Sequence, residues 1–411
     1  MKQMTRRLLL CTGLLLLSVL LYAVQPDSLR MGYAVRGVVV DAATGRALES
    51  VHVAIPGRHQ ATVTNADGLF VLKSDQAIQE VECSFLGYRT RREKAGDGEM
   101  RIALHRENLQ LDAASIVSGN PRSIVMAALE RRWETCAREP ELLECFYRET
   151  LRKRNRYTYV AEAVARMYKD AFDGSVYRHH AALEKSRVLV SQRRTDTLSV
   201  KTQGGPVTSI TFDVVQNNEI LFNADDLPLY SFEMGAPVYI GDRLQFVIHL
   251  SPGQDAPYAL YYGTLYIDRE LLSFTRIELS LDMKEPAKVI PMILIHKPFT
   301  LRFLPEEVSF VLNYQLDGGR TRLQYFRSTM RFACDWRRRL FKTRYTAINE
   351  LVVTDVLPQA APIPRAERFR PQDSLNDKAR EFLDPDFWAG YNIIEPSESL
   401  EHAIARLRKG R

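Results

Sequence analysis

The stretch that decides the fold of this chain is residues 36–70, RGVVVDAATGRALESVHVAIPGRHQATVTNADGLF. Short runs rich in valine alternate there with the turn signals TG, PG and DG. The same pattern continues through residues 81–90, VECSFLGYRT, and ends at residues 100–105, MRIALH. We therefore predict a seven-stranded β-sandwich over residues 30–106.

Side-chain alternation supports this prediction. The predicted strands are residues 35–40, 51–55, 60–64, 69–73, 80–85, 88–92 and 100–105. In the fifth strand Val81, Cys83 and Phe85 alternate with polar residues, and in the last strand Ile102 and Leu104 do the same. Such alternation is typical of strands that place one face on a core.

These residues resemble a known family. The pattern GVVVDAATGRALESVHVAI…TNADGLFVL…SFLGYRT is similar to the carboxypeptidase regulatory-like (transthyretin-like) domain, with Gly45, Gly68 and Gly87 at the family's turn positions. The resemblance covers about a sixth of the chain. In that family the domain is a β-sandwich without catalytic residues. It accompanies some metallocarboxypeptidases and leads many envelope proteins of Gram-negative bacteria, so the resemblance implies an adhesive or positioning module.

The remainder resembles uncharacterised envelope proteins that carry the same leading domain. The resemblance lies in NPRSIVMAALERRWE, FYRETLRKRNRYTYVAEAV, LYYGTLYIDRELLSFTRIELSL and DFWAGYNIIEPSESLEHAIARL, at residues 120–134, 146–164, 260–281 and 386–407. It implies an architecture and says little about an activity.

The N-terminus is typical of a secretory signal peptide, residues 1–23. Lys2, Arg6 and Arg7 precede an apolar run at residues 8–21, which is shorter than the ~20 residues that a spanning helix needs. Ala23 offers a small residue for cleavage. Cys11 lies within the apolar run, where a lipid-modified cysteine is not expected. We expect an exported protein in the periplasm or at the outer membrane, with no transmembrane helix after cleavage.

Charge indicates no polyanionic partner for the chain as a whole. After cleavage, 53 basic residues face 50 acidic ones. Two local basic clusters stand out, at residues 152–156 (RKRNR) and 336–344 (WRRRLFKTR). Nucleic acid or an anionic surface could bind there, but export argues against nucleic acid, and such runs are usually solvated faces.

Four cysteines remain after cleavage, too few and too scattered for a disulfide framework. Cys83 is expected in a core. Cys136 and Cys145 are close enough in sequence to pair, and the sequence leaves open whether they do.

The second part of the chain begins with a linking helix and continues as strands. Asn120 and Pro121 are typical of a helix start, so a helix is predicted over residues 118–139. Its apolar stripe is Val125, Ala128, Leu129, Trp133 and Cys136. Residues 140–357 predict one large, mostly antiparallel, strongly curved sheet. Its first signal is an alternation with more polar neighbours, in Tyr157, Tyr159, Ala161, Ala163 and Ala165. Two hairpins are predicted, one at residues 258–268 and 273–283, the other at residues 308–316 and 321–334 around Asp317-Gly318-Gly319. A last strand is predicted at residues 345–356.

Residues 358–411 predict a different kind of structure, an extended tail and a closing helix. Pro385, Trp388 and Tyr391 suggest a segment lying on the sheet. The helix is expected to begin after Ser397, and Leu400, Ala403, Ile404 and Leu407 form its apolar stripe. A stripe of this kind indicates docking on the protein itself, with a membrane-surface or partner helix as the alternative.

No catalytic, cofactor-binding or metal-ligating residues are predicted. The only histidine cluster, His179-His180 with Glu184, is interpreted as a surface cluster, because adjacent imidazoles on a helix point to different faces. The carboxylate pairs Asp225-Asp226 and Glu306-Glu307 are interpreted as solvated. Asn65 and Asp67 could suggest calcium, but one short turn offers too few oxygens, so turn formation is the better account. Nucleophile-elbow and phosphate-loop motifs are absent from the sequence.

Two functions from different classes remain. The first is a non-enzymatic exported envelope protein that binds or positions an outer-membrane or periplasmic partner, either a protein or a polymer. The alternative is a carrier of an apolar, lipid-like ligand, since residues 260–281 weakly resemble strands of lipoprotein carriers. The aromatic residues that could line such a cavity are Phe212, Phe222, Tyr261, Phe303 and Phe310.

Overall fold

A computed structural model describes the protein, and most of its elements are β-strands. It describes residues 32–96, 98–107, 119–198, 200–202, 204–337, 341–358, 360–370, 373, 375 and 388–409. The predicted signal peptide with Cys11, and Pro385 of the predicted tail, lie outside these residues. Within the described ranges, no helix is both long and apolar enough to cross a lipid bilayer.

Residues 32–107 form the leading module, a two-sheet sandwich as predicted. Its strands are β1 (Tyr33–Asp41), β2 (His52–Ala54), β3 (Ala61–Val63), β4 (Leu69–Ser74), β5 (Glu80–Ser84), β6 (Arg91–Lys94) and β7 (Met100–Leu104). One sheet has the order β4-β1-β7 and the other β3-β2-β5-β6, and β1 pairs with β7 in parallel. Only β6 departs visibly from the prediction, since it begins at Arg91 and not at residue 88.

The turn between β3 and β4 is built by the side chain of Asn65. Its Oδ1 accepts hydrogen bonds from the backbone N–H groups of Asp67 and Leu69, both at 2.9 Å. Gly68 follows with φ +74°, and a Cβ there would lie 2.6 Å from the Val39 carbonyl oxygen. The amide oxygen is therefore occupied by the turn itself, which accounts for this motif without a calcium ion.

Helix α1 (Pro121–Thr135) connects the leading module to the large sheet. The Asn120 side chain accepts a hydrogen bond from the Arg122 N–H, which is the predicted cap. The buried residues of the predicted stripe are Val125, Ala128, Leu129 and, just after the helix, Cys136. The prediction was wrong for Trp133, which is 53% exposed. It stands about 80° around the helix from Val125, and its ring meets Phe172 edge-on at the rim of the contact.

Eleven antiparallel strands form the large sheet. They are β8 (Glu141–Lys153), β9 (Arg156–Lys169), β10 (His180–Val190), β12 (Tyr230–Met234), β13 (Val238–Ile240), β14 (Arg243–Pro252), β15 (Tyr261–Asp268), β16 (Phe274–Leu281), β18 (Leu301–Asp317), β19 (Arg320–Trp336) and β20 (Thr343–Leu357). The order is β10-β9-β8-β20-β19-β18-β16-β15-β14-β12, and β13 pairs with β14. A separate pair, β11 (Lys201–Thr202) and β17 (Leu294–His296), lies beside it, as do helices α2 (Pro206–Thr211) and α3 (Pro286–Ile293).

The longest hairpin of this sheet is centred on Gly318 and Gly319. Their φ angles are 56° and 81°, and the two residues join β18 to β19, each 17 residues long. Two consecutive positive φ angles are the geometry of a two-residue hairpin turn that matches strand twist, and glycine adopts them without steric cost. The predicted hairpin is confirmed.

The large sheet has two different faces. The inner face carries Tyr147, Ile277 and Leu351, and it belongs to the main core together with buried residues of α1, α2 and α3. The outer face carries Phe146 and Val352, which form a second core with Val63 of the leading module and with Tyr391, Ile393 and Ile394 of the tail. The leading module and the tail thus share one face of the sheet.

A β-bulge corrects one detail of the predicted alternation. The pairing of β8 with β9 shifts between Leu151 and Arg152. Tyr159 therefore faces the main core, whereas Tyr157 packs on the outer face with the C-terminal helix. A bulge inserts one residue and reverses the side of everything beyond it, which the sequence pattern did not reveal.

The tail segment, residues 388–396, joins the leading module to the large sheet. The Asn392 side chain donates to the Lys73 carbonyl at 3.0 Å and accepts from the Lys73 N–H at 2.7 Å, like an added strand residue. The Thr62 hydroxyl donates to the Ile393 carbonyl at 2.9 Å. As predicted, the described part of the tail lies on the sheet.

Helix α4 (Glu398–Lys409) docks on the outer face of β9 and β10, as predicted. Its stripe, Leu400, Ala403, Ile404 and Leu407, is buried, and it packs against Val160 and Leu189. Ser397 caps the helix as expected, since its hydroxyl oxygen accepts from the Leu400 N–H at 3.4 Å and its carbonyl accepts the first helical bond, from the Glu401 N–H at 2.8 Å. The sequence did not reveal a second cap: Asp67 of the leading module accepts from the Glu398 N–H at 2.7 Å.

A buried ion triad lies under the tail. Glu162 of β9 accepts hydrogen bonds from Arg148 at 2.7 Å and from Arg187 at 2.5 Å, and it is fully buried. Arg148 also donates to the Ile394 carbonyl at 2.5 Å, and Arg187 stacks 5.4 Å from the centre of the Trp388 ring. Both arginines therefore link Glu162 to the tail.

We predict that Glu162→Gln destabilises the protein strongly. The substitution leaves two buried guanidinium groups without their counter-ion, which costs about 3 kcal/mol or more in the free energy of unfolding. Chemical denaturation at neutral pH measures the loss. The control is Glu134→Gln, which breaks the exposed Arg131–Glu134 pair and costs about 0.5 kcal/mol or less. Equal, small losses in both variants would contradict this role of the triad.

Candidate functional site

A second group of buried charges lies on the inner face, around Lys169 and Asp213. Lys169 is the last residue of β9, and Asp213 follows α2. The Lys169 ammonium donates to Asp213 Oδ2 at 2.6 Å, and the Tyr314 hydroxyl donates to Oδ1 at 2.8 Å. Three elements that are distant in sequence therefore converge on one carboxylate.

The interactions within this cluster keep Asp213 and Lys169 ionised. Burial alone would raise the pKa of Asp213, but the Lys169 ammonium and the two hydrogen bonds outweigh it and lower the pKa. Burial likewise opposes the charge of Lys169, yet Asp213 raises the pKa of the ammonium above its ordinary value. Burial, and then the Asp213 charge, raise the pKa of Tyr314 strongly. The cluster is thus a permanent ion pair with a neutral phenol.

The cavity beside this ion pair is too small for a substrate. Its volume is about 20 Å³, and its lining includes Cys136, Gln216 and Thr321. A space of this size holds about one water molecule. Burial raises the pKa of the Cys136 thiol, which disfavours the nucleophilic thiolate. We therefore interpret the cluster as structural: it holds the segment after α2 against β9 and β18.

The prediction of a surface histidine cluster was partly wrong. His179 is buried, not on the surface, and the two imidazoles do not sit on a helix: His179 follows a short 3₁₀ turn and His180 opens β10. Glu184 forms an ion pair with Arg166 at 2.9 Å. Burial, and then the charge of Lys169, lower the pKa of His179 to about 4. His179 is therefore a neutral imidazole packed in the interior next to an ion pair. Its burial could not be predicted from the polar residues around it in sequence.

The described ranges contain neither an assembled metal site nor a disulfide. No group of three or more His, Cys, Asp or Glu side chains there is arranged to hold a metal ion. Cys136 and Cys145, whose pairing the sequence left open, are free and buried, as are Cys83 and Cys334. The acidic pairs are engaged at the surface: Asp226 accepts from Asn223, and Glu306 and Glu307 pair with Arg344 and Arg331.

The aromatic residues proposed as a ligand cavity pack against one another and their neighbours. Phe212 stacks on Phe310 at 4.1 Å between ring centres, and Tyr261 meets Phe310 at 6.3 Å. Phe222 packs on Phe274, and Phe303 packs on Phe332. These rings belong to the main core. Their contacts favour a filled interior over a ligand cavity at this place.

An open groove of about 640 Å³ lies on the outer face of β12, β14, β15 and β16. Its size is within the range of about 300–1,000 Å³ that is usual for ligand pockets. Its lining is Ser231, Phe232, Glu233, His249, Leu250, Ser251, Tyr262, Gly263, Thr264, Glu278 and Ser280. Most of these side chains are polar, so the groove suits a polar partner better than an apolar one.

The polar groups of the groove form a row across four strands. Glu233 pairs in register with His249, His249 with Thr264, and Thr264 with Glu278. The His249 Nδ1 and Thr264 Oγ1 atoms are 3.1 Å apart. Alternation in β14 predicts that His249 faces away from buried Ile248. The cross-strand partners could not be read from the sequence, because they are set by a register that only the fold defines.

The leading module contacts β13 and β16, on the same sheet as this groove. Leu86 forms a β-bridge with Ile240, and the Gly87 N–H donates to the Tyr239 carbonyl at 2.8 Å. Arg276 lines a second cavity, of about 60 Å³, between the module and the sheet, and it donates to Glu278 in the groove at 2.7 Å. The module is therefore docked on strands that neighbour the groove, while the groove itself is lined by residues of the large sheet.

Comparison with known proteins identifies the class of the leading module. Residues 35–115 match the family model of the CarboxypepD_reg-like domain. The seven strands in two sheets are therefore a carboxypeptidase regulatory-like domain, and the resemblance noted in the sequence is confirmed. No curated protein shows a significant match to the chain.

Solved structures give only distant similarities. A domain assigned to an outer membrane lipoprotein-sorting protein from Vibrio parahaemolyticus is 10% identical, with a TM-score of 0.27, covering 60% of this chain and 96% of that one. A DUF1329 family protein from Desulfovibrio piger is 10% identical, with a TM-score of 0.25, covering 61% and 100%. MucB, solved in complex with MucA of Pseudomonas aeruginosa, is 11% identical, with a TM-score of 0.17, covering 59% and 100%. Scores this low support no conclusion about function.

We predict that His179 makes stability depend on pH. In the unfolded chain its imidazole takes up a proton near pH 6.5, whereas in the folded protein it does so only at about 4. The contribution of neutral His179 is therefore complete above pH 6.5 and is lost as the pH falls towards 4, by about 3 kcal/mol.

Denaturation at a series of pH values tests this prediction. His179→Gln should flatten the decline between pH 6.5 and 4 relative to the parent protein, because the titrating group is gone. The matched control is His402→Gln, which removes an exposed imidazole of α4. A curve for His179→Gln that parallels the parent curve across this range would refute the assignment.

Proposed function

We propose that the chain is a non-enzymatic, exported envelope protein that binds a polar partner in the groove beside its docked leading module. The observation that carries the proposal is the contrast between the two polar regions: the Lys169–Asp213 ion pair lines a cavity of only about 20 Å³, while the polar row lines an open groove of about 640 Å³. We further propose the division predicted from sequence: residues 1–23, 30–106, 118–139, 140–357 and 358–411.

The spacing of the polar row favours binding over catalysis. Glu233 and Glu278 are separated by three strand spacings, which amounts to about 14 Å. Two carboxylates that act on one glycosidic bond stand at most ~9.5 Å apart. Side chains spread over 14 Å can instead hydrogen-bond successive groups of an extended partner, such as a peptide or a saccharide chain.

In this proposal the role of the leading module is to be held at a fixed position on the sheet. It is held to the sheet by the tail, and its Glu49 forms an ion pair with Arg327 of β19 at 2.7 Å. Its Gln60 donates to Asp355 of β20 at 2.9 Å. A module attached at several points is held at a constant place on the sheet, and a rigid surface near the groove lowers the ordering cost of binding.

We predict that Ser280→Arg abolishes partner binding. Ser280 is an exposed groove residue, so an arginine there fills the groove without disturbing a core. The purified chain from Val24 onward is immobilised and exposed to an envelope extract, and retained components are quantified. A component kept by the parent protein should fall at least about ten-fold with the variant, a loss of about 1.4 kcal/mol.

The matched control is Ala361→Arg, which adds the same charge at an exposed site in the proline-rich link. It should retain the component at the parent level. Identical retention by Ser280→Arg and the parent would place binding elsewhere, and equal losses with both arginine variants would mean that added charge alone is responsible.

A further inference from the structure

The two basic segments noted in the sequence meet at one end of the large sheet. Residues 152–156 comprise the end of β8, a two-residue turn and the start of β9, and residues 336, 337 and 341–344 lie at the end of β19 and the start of β20. β8 pairs directly with β20, and the Arg154 N–H donates to the Arg344 carbonyl at 2.9 Å. Two clusters separated by about 180 residues in sequence are thus neighbours in space.

A third segment, residues 295–300, lies at the same end. Leu301 opens β18 and pairs in register with Trp336, and the Arg337 N–H donates to the Thr300 carbonyl at 3.5 Å. Neighbouring strands are about 4.8 Å apart, so the ends of β8, β20, β19 and β18 lie within about 15 Å of one another. We call this surface, formed by residues 152–156, 295–300, 337 and 341–344, the basic end.

The basic end also has solvent-exposed apolar side chains. Among the large apolar side chains of the described residues, Phe299 and Phe341 are the most exposed, at 89% and 77%. Ile295 is 55% exposed. Single exposed apolar residues are ordinary, but two protruding phenylalanines on adjacent loops form a patch that the fold leaves uncovered.

Most of the charges around these rings are positive, although Glu306 pairs with Arg344 and Asp335 lies next to Trp336. Arg154, Arg337 and Lys342 are exposed, and they form no ion pair with a residue that the structure describes. One buried acid, Asp196, serves both Lys153 and Arg156. The basic end therefore has an excess of positive charge, and an anionic partner would relieve the repulsion between these cations.

We propose that the basic end docks on the surface of a lipid bilayer with anionic headgroups. Phe299 and Phe341 enter the interface, while Arg154, Arg337 and Lys342 face the phosphates. The proposal rests on charge complementarity and on the shape of the surface: protruding rings enter a deformable interface, whereas a folded protein partner would need pockets that fit them. This surface lies apart from the groove, so the bilayer and the groove partner can be bound together.

Vesicle co-sedimentation tests the proposal with the chain from Val24 onward, which contains every described residue. Vesicles of phosphatidylcholine with phosphatidylglycerol should sediment the protein, and vesicles of phosphatidylcholine alone should not. Binding should weaken as salt is raised, because exposed charges are screened. Equal binding to both kinds of vesicle, or to neither, would overturn the proposal.

Two variants separate the charges from the rings. The triple variant Arg154→Gln, Arg337→Gln, Lys342→Gln should bind the anionic vesicles about a hundred-fold more weakly, at about five-fold per charge. Its control is Arg46→Gln, Lys94→Gln, Arg101→Gln, which removes three exposed cations from the leading module and should bind like the parent. Unchanged binding by the first triple variant would overturn the proposal.

The rings have their own control. Phe299→Ser with Phe341→Ser should lower vesicle affinity at least about ten-fold. Tyr177→Ser, which removes an exposed ring near the start of β10, should not. A soluble polyanion such as heparin identifies the competing explanation: if it binds as tightly as the vesicles do, and the serine variant binds vesicles like the parent, the surface is a polyanion site and not a membrane site.

Fluorescence gives a direct readout of insertion. The emission of Phe341→Trp should shift to shorter wavelength when anionic vesicles are added, relative to the parent protein, because the new indole leaves water. Thermal unfolding of each variant establishes that it is folded. A folded Phe341→Trp protein that sediments with vesicles without this shift would contradict entry of the ring into the interface.

Discussion

The assembly of this protein depends on Glu162, which is held between Arg148 and Arg187 beneath the tail. The carboxylate is fully buried, and the two guanidinium groups that neutralise it also bind the tail, one through the Ile394 carbonyl and one by stacking on Trp388. A buried charge is tolerated only when its partners remain in place. The tail in turn hydrogen-bonds the leading module through Asn392. One electrostatic constraint therefore connects the sheet, the tail and the module.

This constraint divides the outer face of the large sheet into a covered half and an open half. The module, the tail and α4 pack on β8, β9, β10, β19 and β20, whereas the groove on β12, β14, β15 and β16 is open. On the inner face, Lys169 and Asp213 neutralise each other beside a cavity of only about 20 Å³. Polar groups are thus paired with one another where they stabilise the fold and exposed in the groove where a partner can reach them, which is the physical basis of the proposed binding role.

Local patterns predicted much of the fold. The strands of the module, the capped start of α1, the Gly318-Gly319 hairpin and the buried stripe of α4 all follow from alternation, turn chemistry and capping, which act over a few residues. The predictions failed where a side chain's surroundings come from distant parts of the chain. Trp133 lies at the rim of a helix contact, Tyr157 lies beyond a bulge, and His179 is buried beside Lys169. None of these outcomes has a local signature.

The sequence alone predicted the leading carboxypeptidase regulatory-like module and the large antiparallel sheet, because each depends on short-range periodicity or on a family pattern. The export signal at residues 1–23 stays a prediction. The tertiary structure alone decided which polar residues meet. Register brought Glu233, His249, Thr264 and Glu278 into one row, and strand order brought residues 152–156 next to Arg344. Strand pairing joins residues across any separation in sequence, so such neighbours exist only once the sheet has formed.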